Sequence, residues 1–75
     1  MGKLPRLTGK ELAKFIEKLG FVCSHSKGSH FIYKHSDGRR TVIPQHSGEE
    51  IGPGLLNKIV KKDLGLSREE FLKQL

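Results

Sequence analysis

The chain has 75 residues, of which 29% are charged and 35% hydrophobic, and its formal net charge is +6. These values predict one small folded domain over residues 1–75, and they exclude a disordered chain or a large cofactor pocket. No apolar run is long enough to cross a membrane and no signal peptide is evident, so we expect a cytoplasmic protein without membrane contact.

The first predicted element is an amphipathic helix that begins after Thr8. The segment Thr8-Gly9-Lys10-Glu11 matches a capping box, in which the threonine and glutamate side chains each bond to the other residue's backbone N–H. Gly20 suits the left-handed position that ends such a helix. The apolar residues spaced to form one helical face are Leu12, Phe15, Ile16 and Leu19.

Three short β-strands are predicted to follow, at residues 21–24, 30–35 and 40–43. A polar loop over residues 25–29 separates the first two strands, and an Asp-Gly pair at residues 37–38 favours a hairpin between the others. Pro44 ends the third strand, because proline cannot donate to a β-ladder. We therefore expect an antiparallel meander. The sequence does not decide which face of the second strand is buried, because both faces carry apolar side chains.

Two helices are predicted in the last third of the chain. Pro53 suits the first turn of a helix, and Gly65 suits its end. One half of that helix carries Leu55, Leu56, Ile59, Val60 and Leu64. A second capping box, Ser67-Arg68-Glu69-Glu70, begins a short terminal helix. The order α-β-β-β-α, with a short extra C-terminal helix, predicts an α+β fold with the helices packed on one face of a three-stranded antiparallel sheet.

Lys27-Gly28-Ser29-His30 is the candidate catalytic motif, because it places a histidine at the first position of a strand beside a basic, glycine-containing loop. RNA can be cut without a metal when a general base activates the ribose 2′-hydroxyl, and each acid or base contributes about 10²–10⁴-fold. Histidine suits both roles, since its pKa is near 6.5. Lysines and backbone amides near Gly28 could stabilise charge on the phosphate. The alternative is a strand-end histidine with only a structural role.

Basic side chains elsewhere are candidate phosphate contacts, which would add affinity rather than sequence selectivity. The predicted contacts outside the motif are Arg39, Arg40, Lys58, Lys61 and Lys62. A solvated helix face is the alternative for the three lysines. His46, in a loop expected to be flexible, is a candidate complementary acid or phosphate contact, with an exposed loop histidine as the alternative.

A metal site is not expected, because the cysteine and histidines do not follow the compact spacing of zinc ligands. Cys23 has no partner thiol and is predicted to be a small core residue. His25 and His35 are treated as surface residues.

The chain resembles HicA-type toxins, the small mRNA interferases of bacterial and archaeal toxin–antitoxin pairs. The resemblance lies in residues 27–30, 38–46 and 51–59, and in the opening segments at residues 7–12 and 19–21. Together these motifs cover about residues 4–72 in the order and spacing of the family. Pro53 departs from the small polar residue common at its position, but it also begins helices well.

The resemblance implies a fold like that of double-stranded-RNA-binding domains, ribonuclease activity on messenger RNA without a cofactor, and neutralisation by a HicB-type antitoxin. It assigns the catalytic role to His30, with Gly28 and Ser29 shaping the loop. The competing hypothesis is a binding module of the same fold that recognises duplex RNA by its shape without cutting it.

Overall fold

The computed structural model describes residues 4–75. Its elements are α1 (Gly9–Lys18), β1 (Val22–Lys27), β2 (His30–Lys34), β3 (Arg40–Pro44), α2 (Pro53–Lys58) and α3 (Arg68–Gln74), and a π-helical segment (Ile59–Asp63) continues α2. The strands form one antiparallel sheet in the order β1-β2-β3. The predicted α-β-β-β-α architecture is confirmed. No helix within the described range is long and apolar enough to span a membrane.

Both predicted capping boxes are present, and they explain why the helices begin where they do. At α1, the Glu11 backbone N–H donates to Thr8 Oγ1 over 3.1 Å, and the Thr8 N–H donates to Glu11 Oε1 over 2.9 Å. Ser67 and Glu70 repeat this exchange at α3, and the Ser67 backbone N–H lowers the pKa of the Glu70 carboxyl below its usual value. Gly20 ends α1 with φ +103°, as predicted.

The hairpin between β1 and β2 is tighter than the sequence suggests. β1 continues to Lys27, so the predicted loop over residues 25–29 is wrong, and Gly28 and Ser29 alone connect the strands. Gly28 has φ +61°, and Ser29 does not have a positive φ, which is the pattern of a type II′ turn. The polar residues of β1 read as a loop in the sequence, but this strand lies at the sheet edge and is exposed along its length.

The side chains of Tyr33, Thr41 and Ile43 point to the helices and are at most 4% exposed. Phe31 and Tyr33 therefore face the helices, whereas Ile32 lies on the other face, where it is 8% exposed and outside the main core. The prediction that Cys23 belongs to the core is wrong. It is exposed, because the helices contact β3 and leave β1 uncovered.

The helix that begins at Pro53 does not stay regular to its end. The Leu64 N–H donates to the Ile59 carbonyl oxygen over 2.8 Å, five residues back, and Gly65 ends the segment with φ +70°. Four of the five predicted apolar positions are buried, but Leu55, in the first turn, is 38% exposed. The wider turn carries the Asp63 carboxylate to the hydroxyl of Thr41, which donates to it over 2.8 Å.

Gly9 fixes how closely α1 approaches the end of β3. A Cβ at this position would overlap the backbone carbonyl oxygen of Pro44. We therefore expect Gly9→Ala to lower the free energy of unfolding by about 1–3 kcal/mol, measured by urea denaturation at pH 7. Gly54→Ala is the matched control, because no atom lies within 4 Å of its Cβ position and alanine favours a helix. Equal stability of both variants would contradict this packing.

Candidate active site

The face of the sheet that points away from the helices carries the candidate catalytic histidine. Side chains alternate between the two faces of a strand, and cross-strand partners share a face. Since Tyr33, Thr41 and Ile43 face the helices, the registers assign the opposite face to Val22, His25, Lys27, His30, Ile32, Lys34, Arg40, Val42 and Pro44. We call this set the open face. It combines basic and apolar side chains, and none of its members is acidic.

His30 occupies the middle of the row at the turn end of this face, between Lys27 on β1 and Pro44 on β3. The Gln45 N–H donates to the Ser29 carbonyl oxygen over 2.7 Å, so the neighbouring His30–Pro44 pair is one without ladder hydrogen bonds. The missing N–H of Pro44 therefore costs nothing there. The His30 side chain is exposed and makes no hydrogen bond within residues 4–75, so both ring nitrogens are accessible to a ligand.

The motif predicted from the sequence is brought together by the turn. Lys27 and His30 are direct cross-strand partners, and Gly28 and Ser29 connect them. A Cβ at Gly28 would meet no atom within 4 Å. Glycine is therefore favoured here by its backbone conformation, with φ +61°, and not by crowding. The space beside the turn is open to a ligand.

His46 contacts this turn from the other side. Its Nε2 lies 3.2 Å from Ser29 Oγ. The ring also lines a shallow groove with Lys10 at the start of α1 and with Phe31, which faces the helices. The structure therefore places His46 on the helix side of the hairpin end, and His30 on the open face.

The loop that carries His46 is held in place by several contacts. The Glu49 N–H donates to the His46 carbonyl oxygen over 3.0 Å in a turn in which Gly48 has φ +73°. Gln45 Nε2 donates to the Tyr33 hydroxyl over 3.2 Å, and burial raises the pKa of that phenol, so it is neutral near pH 7. The connection is a loop, as expected, with residues 46–49 exposed, and these hydrogen bonds link it to the sheet.

Arg39 is engaged within the protein. Its Nε donates to Asp37 Oδ2 over 2.8 Å, its Nη1 donates to the Leu64 carbonyl oxygen, and its guanidinium lies 5.2 Å from the centre of the Phe21 ring. The backbone N–H and guanidinium of Arg39 lower the pKa of the Asp37 carboxyl. These contacts tie the β2–β3 turn to the end of the π-helical segment.

The structure does not bring the helix lysines together with His30. Lys58 Nζ lies 3.7 Å from Asp63 Oδ2, and Asp63 accepts from Thr41 on the helix side of the sheet. Lys61 and Lys62 are exposed in the same helical layer. The candidate RNA contacts therefore divide between two sides of the molecule.

Arg40 lies on the open face, directly opposite Lys34 on β2. That pair is about 13 Å along the sheet from His30, for four residues of strand. Lys34 was not among the RNA contacts predicted from the sequence. It lies four positions after His30 in the same strand, which places both side chains on the same face.

The expectation that His25 and His35 are surface residues is confirmed for His25, which is exposed, and is wrong for His35. His25 shares the open face and lies diagonally from His30, at a cross-strand spacing of about 7–8 Å. His35 is not a surface residue: its side chain is 17% exposed, its Nε2 donates to the Leu19 carbonyl oxygen over 2.9 Å, and its Nδ1 accepts from the Asp37 N–H. Within residues 4–75, no three His, Cys, Asp or Glu side chains are grouped to hold a metal ion.

Comparison with known proteins agrees with the resemblance. A family model described as "HicA toxin of bacterial toxin-antitoxin" matches residues 9–66, which include all three strands and the candidate motif. A curated relative, named "Probable mRNA interferase HicA" in Pseudomonas fluorescens (strain Pf0-1), is 39% identical over 56 residues, covering 75% of this chain and 90% of the relative. The chain belongs to the HicA toxin family.

Proposed function

We propose that this toxin is an endoribonuclease that cuts messenger RNA without a metal, with His30 as the general acid/base. The observation that carries the proposal is the placement of His30: an exposed imidazole that makes no hydrogen bond within residues 4–75, on the basic open face, none of whose members is acidic. The curated relative is named an mRNA interferase, which supports the same substrate class.

The chemistry needs one proton acceptor and one proton donor. A neutral His30 takes the proton of a ribose 2′-hydroxyl, and the 2′-oxygen then attacks the adjacent phosphorus. The bond from phosphorus to the 5′-oxygen breaks, and that oxygen receives a proton from the imidazolium or from a second acid. The products are a 2′,3′-cyclic phosphate and a 5′-hydroxyl. Lys27, the cross-strand neighbour of His30, supplies positive charge where the phosphate charge grows.

In this proposal the candidate second acid is His25, the other histidine on the open face, because His46 lies on the helix side of the turn. For RNA binding, the proposal uses Lys27, Lys34 and Arg40 on the open face, with Gly28 and Ser29 leaving room for the backbone of the strand. These contacts would position phosphates without selecting bases.

The partner in this proposal is a HicB-type antitoxin, and the family description, "HicA toxin of bacterial toxin-antitoxin", supports an antitoxin partner in general. A surface with basic and apolar side chains and no carboxylate suits a protein that brings acidic groups to it. An antitoxin seated there would cover His30 and the phosphate contacts together.

The test is digestion of a long unstructured RNA in EDTA, beside a DNA of the same sequence. We expect fragments from the RNA and intact DNA, because only RNA has the attacking 2′-hydroxyl. Intact RNA under conditions in which the protein binds it in a salt-dependent way would instead support the non-catalytic binding module. Cleavage of the DNA as well as the RNA would contradict the proposed chemistry.

A further inference from the structure

The turn that presents His30 lies at the end of the hairpin of β1 and β2, where Lys27, Gly28 and His30 are exposed. Two contacts hold Ser29 there: its carbonyl oxygen accepts from the Gln45 N–H over 2.7 Å, and its Oγ lies 3.2 Å from His46 Nε2. The second is a contact between side chains 17 residues apart in sequence. His46 thus reaches the turn immediately before the candidate catalytic residue.

The segment that follows His46 is hydrogen-bonded to the residues that precede α1. Beyond the turn at residues 46–49, the Ile51 N–H donates to the Leu7 carbonyl oxygen over 2.7 Å, and Glu50 forms a β-bridge with Thr8, the residue that caps α1. His46 therefore connects the exposed hairpin end to the start of α1.

We infer that His46 is a positioning residue: through Ser29 it fixes the turn and thereby the orientation of the His30 imidazole beside Lys27. The inference rests on the proposed function of His30 in RNA cleavage. It differs from a direct role of His46 on RNA, because the ring of His46 is directed at Ser29 and lines the groove on the helix side.

The expected effect on the rate of RNA cleavage is moderate and is similar for the loss of Ser29 Oγ and the loss of the His46 ring. Loss of one hydrogen bond that orders a catalytic group should reduce single-turnover cleavage by about 3- to 10-fold. Removing either partner breaks the same contact, so the two losses should not multiply.

A double-mutant cycle tests this with Ser29→Ala, His46→Ala and the double variant, using RNA cleavage in EDTA. We expect the double variant to be no slower than the slower single variant. His46→Gln, whose amide can still pair with a hydroxyl, should recover part of the rate, and Ser47→Ala, a neighbouring exposed serine, is the matched control. Affinity for a 2′-O-methyl RNA, which cannot be cut, should change less than twofold in His46→Ala, His46→Gln and Ser47→Ala.

Losses that multiply in the double variant, or a fall in RNA affinity confined to His46→Ala, would overturn the inference and make His46 an RNA contact.

A measurement that does not depend on cleavage tests the positioning role of His46 separately from the proposed function. In NMR spectra, Ser29→Ala and His46→Ala should both shift the signals of residues 27–30 and of the His30 ring, and Ser47→Ala should not. Unchanged signals would also overturn the inference. If both variants show these shifts but the wild-type protein does not cut RNA, the result would contradict the proposed function and leave the positioning role of His46 intact.

Discussion

Replacement of His30 by alanine is expected to lower RNA cleavage by about 10²–10⁴-fold, the contribution of one general acid or base. The fold should not change, because the His30 side chain is exposed and makes no hydrogen bond within the described residues. Substitutions at such positions usually change the free energy of unfolding by about 0.5 kcal/mol or less. The two measurements are the single-turnover rate in EDTA and the urea unfolding curve.

His25→Ala is the matched control, because it removes the same side chain from the same face one strand away. A smaller loss in this variant identifies His30 as the principal group, and an equal loss indicates that the two histidines divide the acid and base roles. Cleavage by His30→Ala within about threefold of the wild-type rate would contradict its assignment, since no general acid–base contribution is that small.

Removal of the three cationic side chains Lys27, Lys34 and Arg40 from the open face is expected to weaken RNA binding strongly. Each phosphate contact to a single strand contributes about 0.7 to the slope of log affinity against log salt concentration. The triple alanine variant should therefore lower that slope by about 2. The measurement is a salt titration of binding to 2′-O-methyl RNA, which separates affinity from cleavage.

The helix lysines provide a control with the same change in net charge. Alanine at Lys58, Lys61 and Lys62 also removes three positive charges, but in the layer on the other side of the sheet. We expect this variant to retain most of the wild-type slope of log affinity against log salt concentration. A larger loss here than on the open face would place the RNA on the helix side, away from His30, and would contradict the proposed arrangement.

The helices could be predicted from the sequence because their signals are local. A capping box involves residues three positions apart, and both Thr8-x-x-Glu11 and Ser67-x-x-Glu70 form as predicted. The end of α1 at Gly20 is equally local. The extent of β1 was mispredicted, because an edge strand exposed on both faces has no need of apolar residues. Its polar sequence is that of a loop.

The candidate site could be predicted only in its contiguous part. Residues 27–30 meet because a two-residue turn joins them. The division of the other basic residues between two sides depends on which face of β2 points to the helices. The sequence does not decide this, because Phe31, Ile32 and Tyr33 place apolar side chains on both faces. The Ser29–His46 contact depends on the pairing of β2 with β3 and on the turn that follows. No local pattern encodes it.

The measurement that tests the central claim most directly is an analysis of the ends of the RNA fragments produced in EDTA. Attack by the 2′-hydroxyl, started by His30, predicts fragments with a 2′,3′-cyclic phosphate and a 5′-hydroxyl, identified by mass spectrometry. Fragments with 3′-hydroxyl and 5′-phosphate ends would show that water is the nucleophile. That result, or the absence of fragments, would contradict the account.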